Sequence, residues 1–142
     1  MATTLFPAGI PKSKRLFDIT VAILALIFLS PVFLLITLAI LITAGSPVLF
    51  IQDRPGDHGV IFRVIKFRTM HVANSPTSTQ NDAHRLFPLG RFLRATSLDE
   101  LPQLVNILKG EMSLVGPRPL LPQYLERYTP EQARRHEVLP GF

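Results

Sequence analysis

From Ile19 to Gln52 the chain carries no charged residue, and that stretch limits what the remainder can be. Its apolar part, Ile19 to Thr43, runs for about 25 residues, enough to cross a bilayer as one straight helix. Ser30-Pro31 interrupts it near the middle. Proline lacks a backbone N–H and crowds the carbonyl four residues back, which predicts a kink there. Each half is then about 12 residues, roughly 18 Å of helix and too short for ~30 Å of hydrocarbon. Lys12, Lys14 and Arg15 precede the run, and Arg54, Arg63, Lys66 and Arg68 follow it. Positive charge at both ends suits a re-entrant helix that enters and leaves on the cytoplasmic face, with the Ser30 hydroxyl satisfying a freed carbonyl. A straight or mildly kinked span fits the same residues, which alone leave the choice open. A cleaved signal peptide is disfavoured by the length of the run.

Beyond Asp53 the composition is that of an ordinary soluble segment. The expected organisation is therefore an N-terminal membrane segment over residues 1–50 and a small globular part over residues 51–142, modest for a core of its own. The net charge is +5, from 15 Lys and Arg against 10 Asp and Glu, and favours anionic partners such as lipid headgroups or phosphorylated substrates. Two Tyr and no Trp give little surface for base stacking, so no nucleic-acid partner is expected. The absence of Cys excludes disulfides, thiolate metal sites and cysteine nucleophiles.

"PVLFIQ" and "VIFRVIKFRTM" are β-prone runs separated by the turn-rich "DRPGDHG", which predicts a β-hairpin. Asn74 to Gln80 read as a polar loop. "HRLFPLGRFLRATS" mixes Arg85, Arg91 and Arg94 with Leu86, Phe87, Phe92 and Leu93, as an interfacial element or a short basic helix would. In "SLDELPQLVNILKG", Leu101, Leu104, Val105 and Leu108 recur at helical spacing and Gly110 marks a stop. "EMSLVGPRPLLP" has too many prolines for regular structure and reads as a fixed loop. Thr129, Pro130 and Gln132 predict a capped last helix.

Asp99 and Glu100 stand side by side in "TSLDEL". As an S-x-x-E capping box with Ser97, they would be ordinary helix-start acids. That register places Pro102 where its ring meets a carbonyl, and a helix start nearer Asp99 removes the conflict. Both acids then sit at the lip of the helix, where one carboxylate could bind a Mg²⁺ carried by a diphosphate and the other attack phosphorus. That chemistry needs cations, for which Arg94, Lys66, Arg68 and Arg118 are candidates. Arg118, held between prolines in "GPRP", could equally cap a helix or pair with an acid.

Taken in order, "KRLFD", "SPVFLL", "FIQDRPG", "KFRTM", "GRFLRATSLDELPQLVNILKGEMSLVGPRP" and "LPGF" resemble the bacterial sugar transferases. These are the monotopic phosphoglycosyl transferases that begin exopolysaccharide, capsule, lipopolysaccharide O-antigen or glycoprotein glycan assembly. The resemblance implies an α+β, mainly helical fold with a re-entrant membrane helix broken at Ser30 and Pro31. A β-hairpin and several short helices would follow. It implies transfer of a sugar 1-phosphate from a UDP-sugar to undecaprenyl phosphate, with release of UMP, through a phosphosugar on an aspartate. Carried over by position, Asp99 is the nucleophile and Glu100 the Mg²⁺ ligand. Arg94, Arg118 and Lys66 match phosphate-holding positions, while Gln52 and Arg54 are further substrate-binding candidates. The implied location is the bacterial inner membrane, with the site on the cytoplasmic face and membrane lipid as a partner. A homo-oligomer is left open.

Relatives usually continue past "LPGF", so the catalytic part is expected to be C-terminally truncated. Larger relatives add an N-terminal multi-span bundle, without which the chain reads as a minimal catalytic unit. Two other readings remain: a non-catalytic, membrane-associated relative acting as an interaction module, and a bitopic anchor with a basic periplasmic domain.

Overall fold

A computed structural model of the chain describes residues 5–7, 9–71 and 85–142. The polar loop expected at Asn74 to Gln80 lies outside the described residues. The apolar run forms two helices, α1 (Lys12–Phe28) and α2 (Ser30–Ala44). They are broken at Leu29, whose φ of −90° and ψ of 1° leave the helical region. Pro31 falls at the second position of α2, where its missing N–H costs no helical bond. Phe33 N donates to the Leu29 carbonyl at 2.9 Å and starts the new helix. Among the described residues no single helix is long and apolar enough to cross a membrane; α1 and α2 pass that test only together, as a bent pair.

The hairpin is as expected: β1 (Leu49–Pro55) pairs with β2 (Ile61–Phe67) in a two-stranded sheet, antiparallel as so short a connection requires. Then come α3 (Pro88–Ala95), a 3-10 turn at Leu98–Glu100 and α4 (Gln103–Lys109). A 3-10 segment at Pro122–Arg127, the single turn α5 (Pro130–Ala133) and a last 3-10 turn at Arg134–Glu137 complete the order. The described fold is thus mixed and mainly helical. Thr129 caps α5 as expected, accepting from Gln132 N at 3.3 Å while Gln132 Oε1 accepts from Thr129 N at 3.2 Å. Gly110 ends α4 with a φ of 86°, a value that glycine adopts without penalty.

The chain divides into two compact units, each discontinuous in sequence. The first comprises residues 1–28, 51–65 and 103–142. Its core is Ala22, Phe62, Val64, Leu104, Ile107 and Met112. The helical pattern read from the leucines foresaw α4 but included Leu101, which precedes it, and missed Ile107, which is fully buried. α1 packs on α4 through a polar seam as well as an apolar one. Arg15, fully buried, donates to the Leu5 carbonyl at 2.6 Å, to the Ile107 carbonyl, and to that of Leu108 at 3.1 Å. It thereby satisfies carbonyls that the end of α4 would leave open. Asp18, 1% exposed, accepts from Ser113 Oγ at 2.8 Å and Lys14 Nζ at 3.1 Å. Asn106 covers the edge of β2, accepting from Ile65 N at 3.1 Å and donating to the Arg63 carbonyl at 2.7 Å.

In the same unit "LPGF" is clasped to the proline-rich loop. Ser113 N donates to the Pro140 carbonyl at 2.9 Å, Gly141 N to that of Pro117 at 3.0 Å and Phe142 N to that of Ser113 at 2.9 Å. A Cβ on Gly141 would lie 2.2 Å from the Gly116 carbonyl oxygen, so backbone rests on backbone. Gly141→Ala is expected to part the two segments and cost about 1–3 kcal/mol, read as a lowered melting temperature in detergent.

The second unit comprises residues 29–50 and 66–102. Its core is Ile36, Ile40, Phe67, Phe87, Leu93 and Leu101, with the rings of Phe33 and Phe67 5.5 Å apart and tilted by 56°. α2 buries only Ile36 and Ile40. Leu34, Leu35, Leu38, Leu41 and Ile42 stay exposed on it, as Leu16, Phe17, Ile23, Leu24, Ile27 and Phe28 do on α1. Water is a poor solvent for such helices.

Candidate active site

The acids do not begin a helix. α4 starts at Gln103, after Pro102, and Asp99 and Glu100 lie on the separate 3-10 turn. Ser97 forms no capping box: it makes no side-chain cap bond and takes the left-handed conformation, φ 57° and ψ 15°. Pro102 thus separates the turn from the helix, instead of sitting inside it as either expected register required. Non-glycine residues in that conformation carry strain, which clusters at functional sites. Here it turns the chain sharply out of α3, and Ser97 N donates to the Arg94 carbonyl at 3.3 Å.

On a 3-10 turn successive side chains point about 120° apart, so neighbouring acids meet different surroundings. Asp99 turns inward and is 8% exposed, while Glu100 keeps partial exposure. Lys66, next to last in β2, donates from Nζ to Glu100 Oε1 at 2.6 Å. Burial pushes the Asp99 carboxyl above the usual aspartate range, and the neighbouring negative charge of Glu100 adds to the rise. The charges of Lys66 and Arg94 oppose it without cancelling it. A carboxylate made costly to ionise, next to cations that favour ionisation, is a typical arrangement for a reacting group.

Arg94 sits in the last turn of α3 and donates from Nε to Thr69 Oγ1 at 2.9 Å. Lys66, Arg94, Asp99 and Glu100 therefore belong to the second unit and act on one another there. Arg68, also a phosphate candidate from sequence, makes its hydrogen bonds at the end of α2. It is 5% exposed and donates to the carbonyls of Ala44 at 2.6 Å, Gly45, and Ser46 at 3.1 Å. It clasps the C-terminal end of α2, where a cation is favoured.

Gln52, Arg54 and Arg118 belong to the first unit. Arg54 donates to Gln52 Oε1 at 2.8 Å and to the Pro119 carbonyl at 3.2 Å. Arg135 donates to the Arg118 carbonyl at 3.0 Å, so two guanidinium groups hold the backbone of "GPRP", while the side chain of Arg118 is exposed. Sequence reasoning missed Arg135 and Thr69. The signal for Thr69 was a hydroxyl beside charged residues in "KFRTM", and nothing local pointed to Arg135.

Among the described residues no three His, Asp or Glu side chains gather as a metal cluster. Mg²⁺ does not require one when it arrives on a diphosphate, because one carboxylate, phosphate oxygens and water complete its shell. Partly exposed Glu100 fits that requirement better than buried Asp99.

A family model described as bacterial sugar transferase matches residues 11–142. The chain is 53% identical over 130 residues to an uncharacterized sugar transferase, EpsL, of Bacillus subtilis, covering 91% of this chain and 64% of that one. It is 44% identical over 136 residues to the UDP-glucose:undecaprenyl-phosphate glucose-1-phosphate transferase of Escherichia coli, covering 91% of this chain and 29% of the relative. It is 44% identical over 135 residues to the undecaprenyl-phosphate galactose phosphotransferase of Salmonella typhimurium, covering 81% and 28%. The chain thus spans under two thirds of each of these relatives.

Proposed function

The chain belongs to the bacterial sugar transferase family, and from that premise we propose that it moves a sugar 1-phosphate from a UDP-sugar to undecaprenyl phosphate, releasing UMP. The observation that carries this reading is the Asp99–Glu100 turn, with Lys66 bonded to Glu100 and the charges of Lys66 and Arg94 acting on Asp99. The reactions named for the relatives from Escherichia coli and Salmonella typhimurium support the substrate classes.

In the first step an Asp99 carboxylate oxygen attacks the sugar-linked phosphorus of the UDP-sugar. The P–O bond to UMP breaks, and UMP leaves with that bond's electrons. A phosphate oxygen of undecaprenyl phosphate then attacks the same phosphorus, forming the lipid diphosphate sugar and returning Asp99 as carboxylate. Splitting the exchange in two spares the direct approach of two anions. Lys66 and Arg94 screen the incoming phosphates, and the fork of Arg94 suits their oxygens. Glu100 would hold a Mg²⁺ brought by the diphosphate. When bound, the ion offsets charge developing on the leaving UMP. The exposed apolar faces of α1 and α2 support a re-entrant anchor in the inner membrane, with the site on the cytoplasmic face, where a long lipid presents its phosphate.

The test is incubation of the chain in detergent or nanodiscs with Mg²⁺, undecaprenyl phosphate and a panel of UDP-sugars, following UMP and labelled sugar in the lipid phase. Failure with every donor, under conditions where a longer relative works, would remove the proposal in favour of a non-catalytic relative. A pH profile adds a sharper check. Asp99 must be ionised to attack, and burial raises its pKa. The acid limb of kcat/KM is therefore expected above the ~3.9 of a free aspartate. Lys66→Met removes the largest opposing charge and should move that limb further up. An acid limb in the ordinary aspartate range that ignores Lys66 would count against Asp99.

A further inference from the structure

Thr69 has no role in the chemistry above, yet it receives two contacts from α3. It is 5% exposed, and its hydroxyl accepts the Nε–H of Arg94 at 2.9 Å. One helical turn before Arg94 on α3 is Gly90. A Cβ there would lie 2.1 Å from the Thr69 carbonyl oxygen, 2.7 Å from its carbonyl carbon and 2.9 Å from its Cα. No side chain larger than hydrogen fits. Residues four apart on a helix share a face, so the glycine contact and the arginine bond are stacked along one side of α3. The first sets how closely the helix approaches the Thr69 backbone, and the second fixes its rotation. Both lie within the second unit, as do Asp99 and Glu100.

The consequence falls on the guanidinium. Its plane is rigid, so holding Nε fixes the direction of the other two nitrogens. Those two make no hydrogen bond to the described residues. We propose that Thr69, set by its contact with Gly90, is a positioning residue that aims the terminal fork of Arg94 at the oxygens of a diphosphate beside the Asp99 turn. This rests on the phosphoryl-transfer reading and adds to it a residue that touches neither substrate nor reacting atoms. Arg94 swinging freely on its side chain would still supply charge. Held at Nε, it supplies direction, and two parallel bonds to one phosphate depend on direction.

The experiment uses inorganic pyrophosphate as probe and the Nε–H resonance of Arg94 as readout, in detergent-solubilised full chain, with the resonance identified by its loss in Arg94→Lys. In the parent chain that proton should exchange slowly and its signal should shift on adding pyrophosphate. Thr69→Val and Thr69→Ala should abolish the slow exchange and weaken pyrophosphate binding about tenfold, the scale of one hydrogen bond to a charged group. Thr69→Ser, which keeps the acceptor, should bind within about twofold of the parent. The two hydroxyl-free variants guard against one of them failing to fold.

Parent-like exchange and binding in Val or Ala overturns the proposal. So does a serine variant as weak as they are at an unchanged melting temperature, or a parent signal that ignores pyrophosphate. UMP release is measured in parallel on the same samples. Its absence from the parent chain would remove the transferase reading, while the Arg94 signal would still decide the role of Thr69.

Discussion

Asp99→Asn is expected to lower UMP release by at least about 10³-fold while leaving the melting temperature in detergent unchanged or higher. The first half follows from chemistry. An amide cannot form the acyl phosphate, and it sits where the displacement needs an anion. The second half follows from burial. The folded chain holds the Asp99 carboxyl above its ordinary pKa, chiefly by desolvation. In the window between the unfolded and folded values the native state binds more of the proton than the unfolded chain does, so stability falls as pH rises through it. Above that window the loss is complete, and there the ionised Asp99 is a liability to the fold. Asparagine keeps the shape without the charge.

That combination separates a reacting residue from a structural one. An aspartate retained only as a helix cap would respond the other way, losing stability on substitution with little effect on rate. Measuring both quantities on one variant therefore tests the assignment twice. A parent-like rate would refute Asp99 as nucleophile. A melting temperature lowered by several degrees would mean that Asp99 supports the turn through contacts of its own.

The sequence disclosed whatever is decided within a few neighbours. Ser30-Pro31 breaks the apolar run because proline lacks its N–H wherever it stands, and the structure starts α2 there. Gly110, and Thr129 with Gln132, end and begin their helices by local hydrogen bonding. The paired acids were visible too. Their setting was not, since whether Pro102 lies inside a helix or before it depends on packing that no capping pattern records. The contacts of Arg68 were hidden for a related reason. An arginine near phosphate candidates looks available until one knows that the end of α2 presents three carbonyls to it. Gly90 was invisible because it has no side chain, and the hydroxyl of Thr69 gains its meaning only from Arg94, 25 residues away, which packing brings to it.

Asp18 shows how far such hidden partnerships reach, and its substitution should have the largest effect on stability. Asp18→Ala is expected to destabilise the chain by about 3–5 kcal/mol, the usual cost of removing one member of a buried charged network. Asp18 is 1% exposed and accepts from Ser113, 95 positions away, at 2.8 Å, as well as from Lys14. Arg15, one turn earlier on α1, is fully buried and tied to the end of α4. Without Asp18, the Ser113 hydroxyl loses the acceptor of its proton and the Arg15 charge stays buried with less compensation. These contacts pin α1 to the segment leading into "GPRP", so the loop that carries Arg118 should loosen along with the helix. Thermal unfolding in detergent checks the prediction, with Asp99→Asn run alongside as the carboxylate whose loss leaves the fold intact. Residual activity in Asp18→Ala should follow the folded fraction and recover on cooling. A stable Asp18→Ala with a parent-like melting curve would mean that "KRLFD" owes its acid to something other than this network.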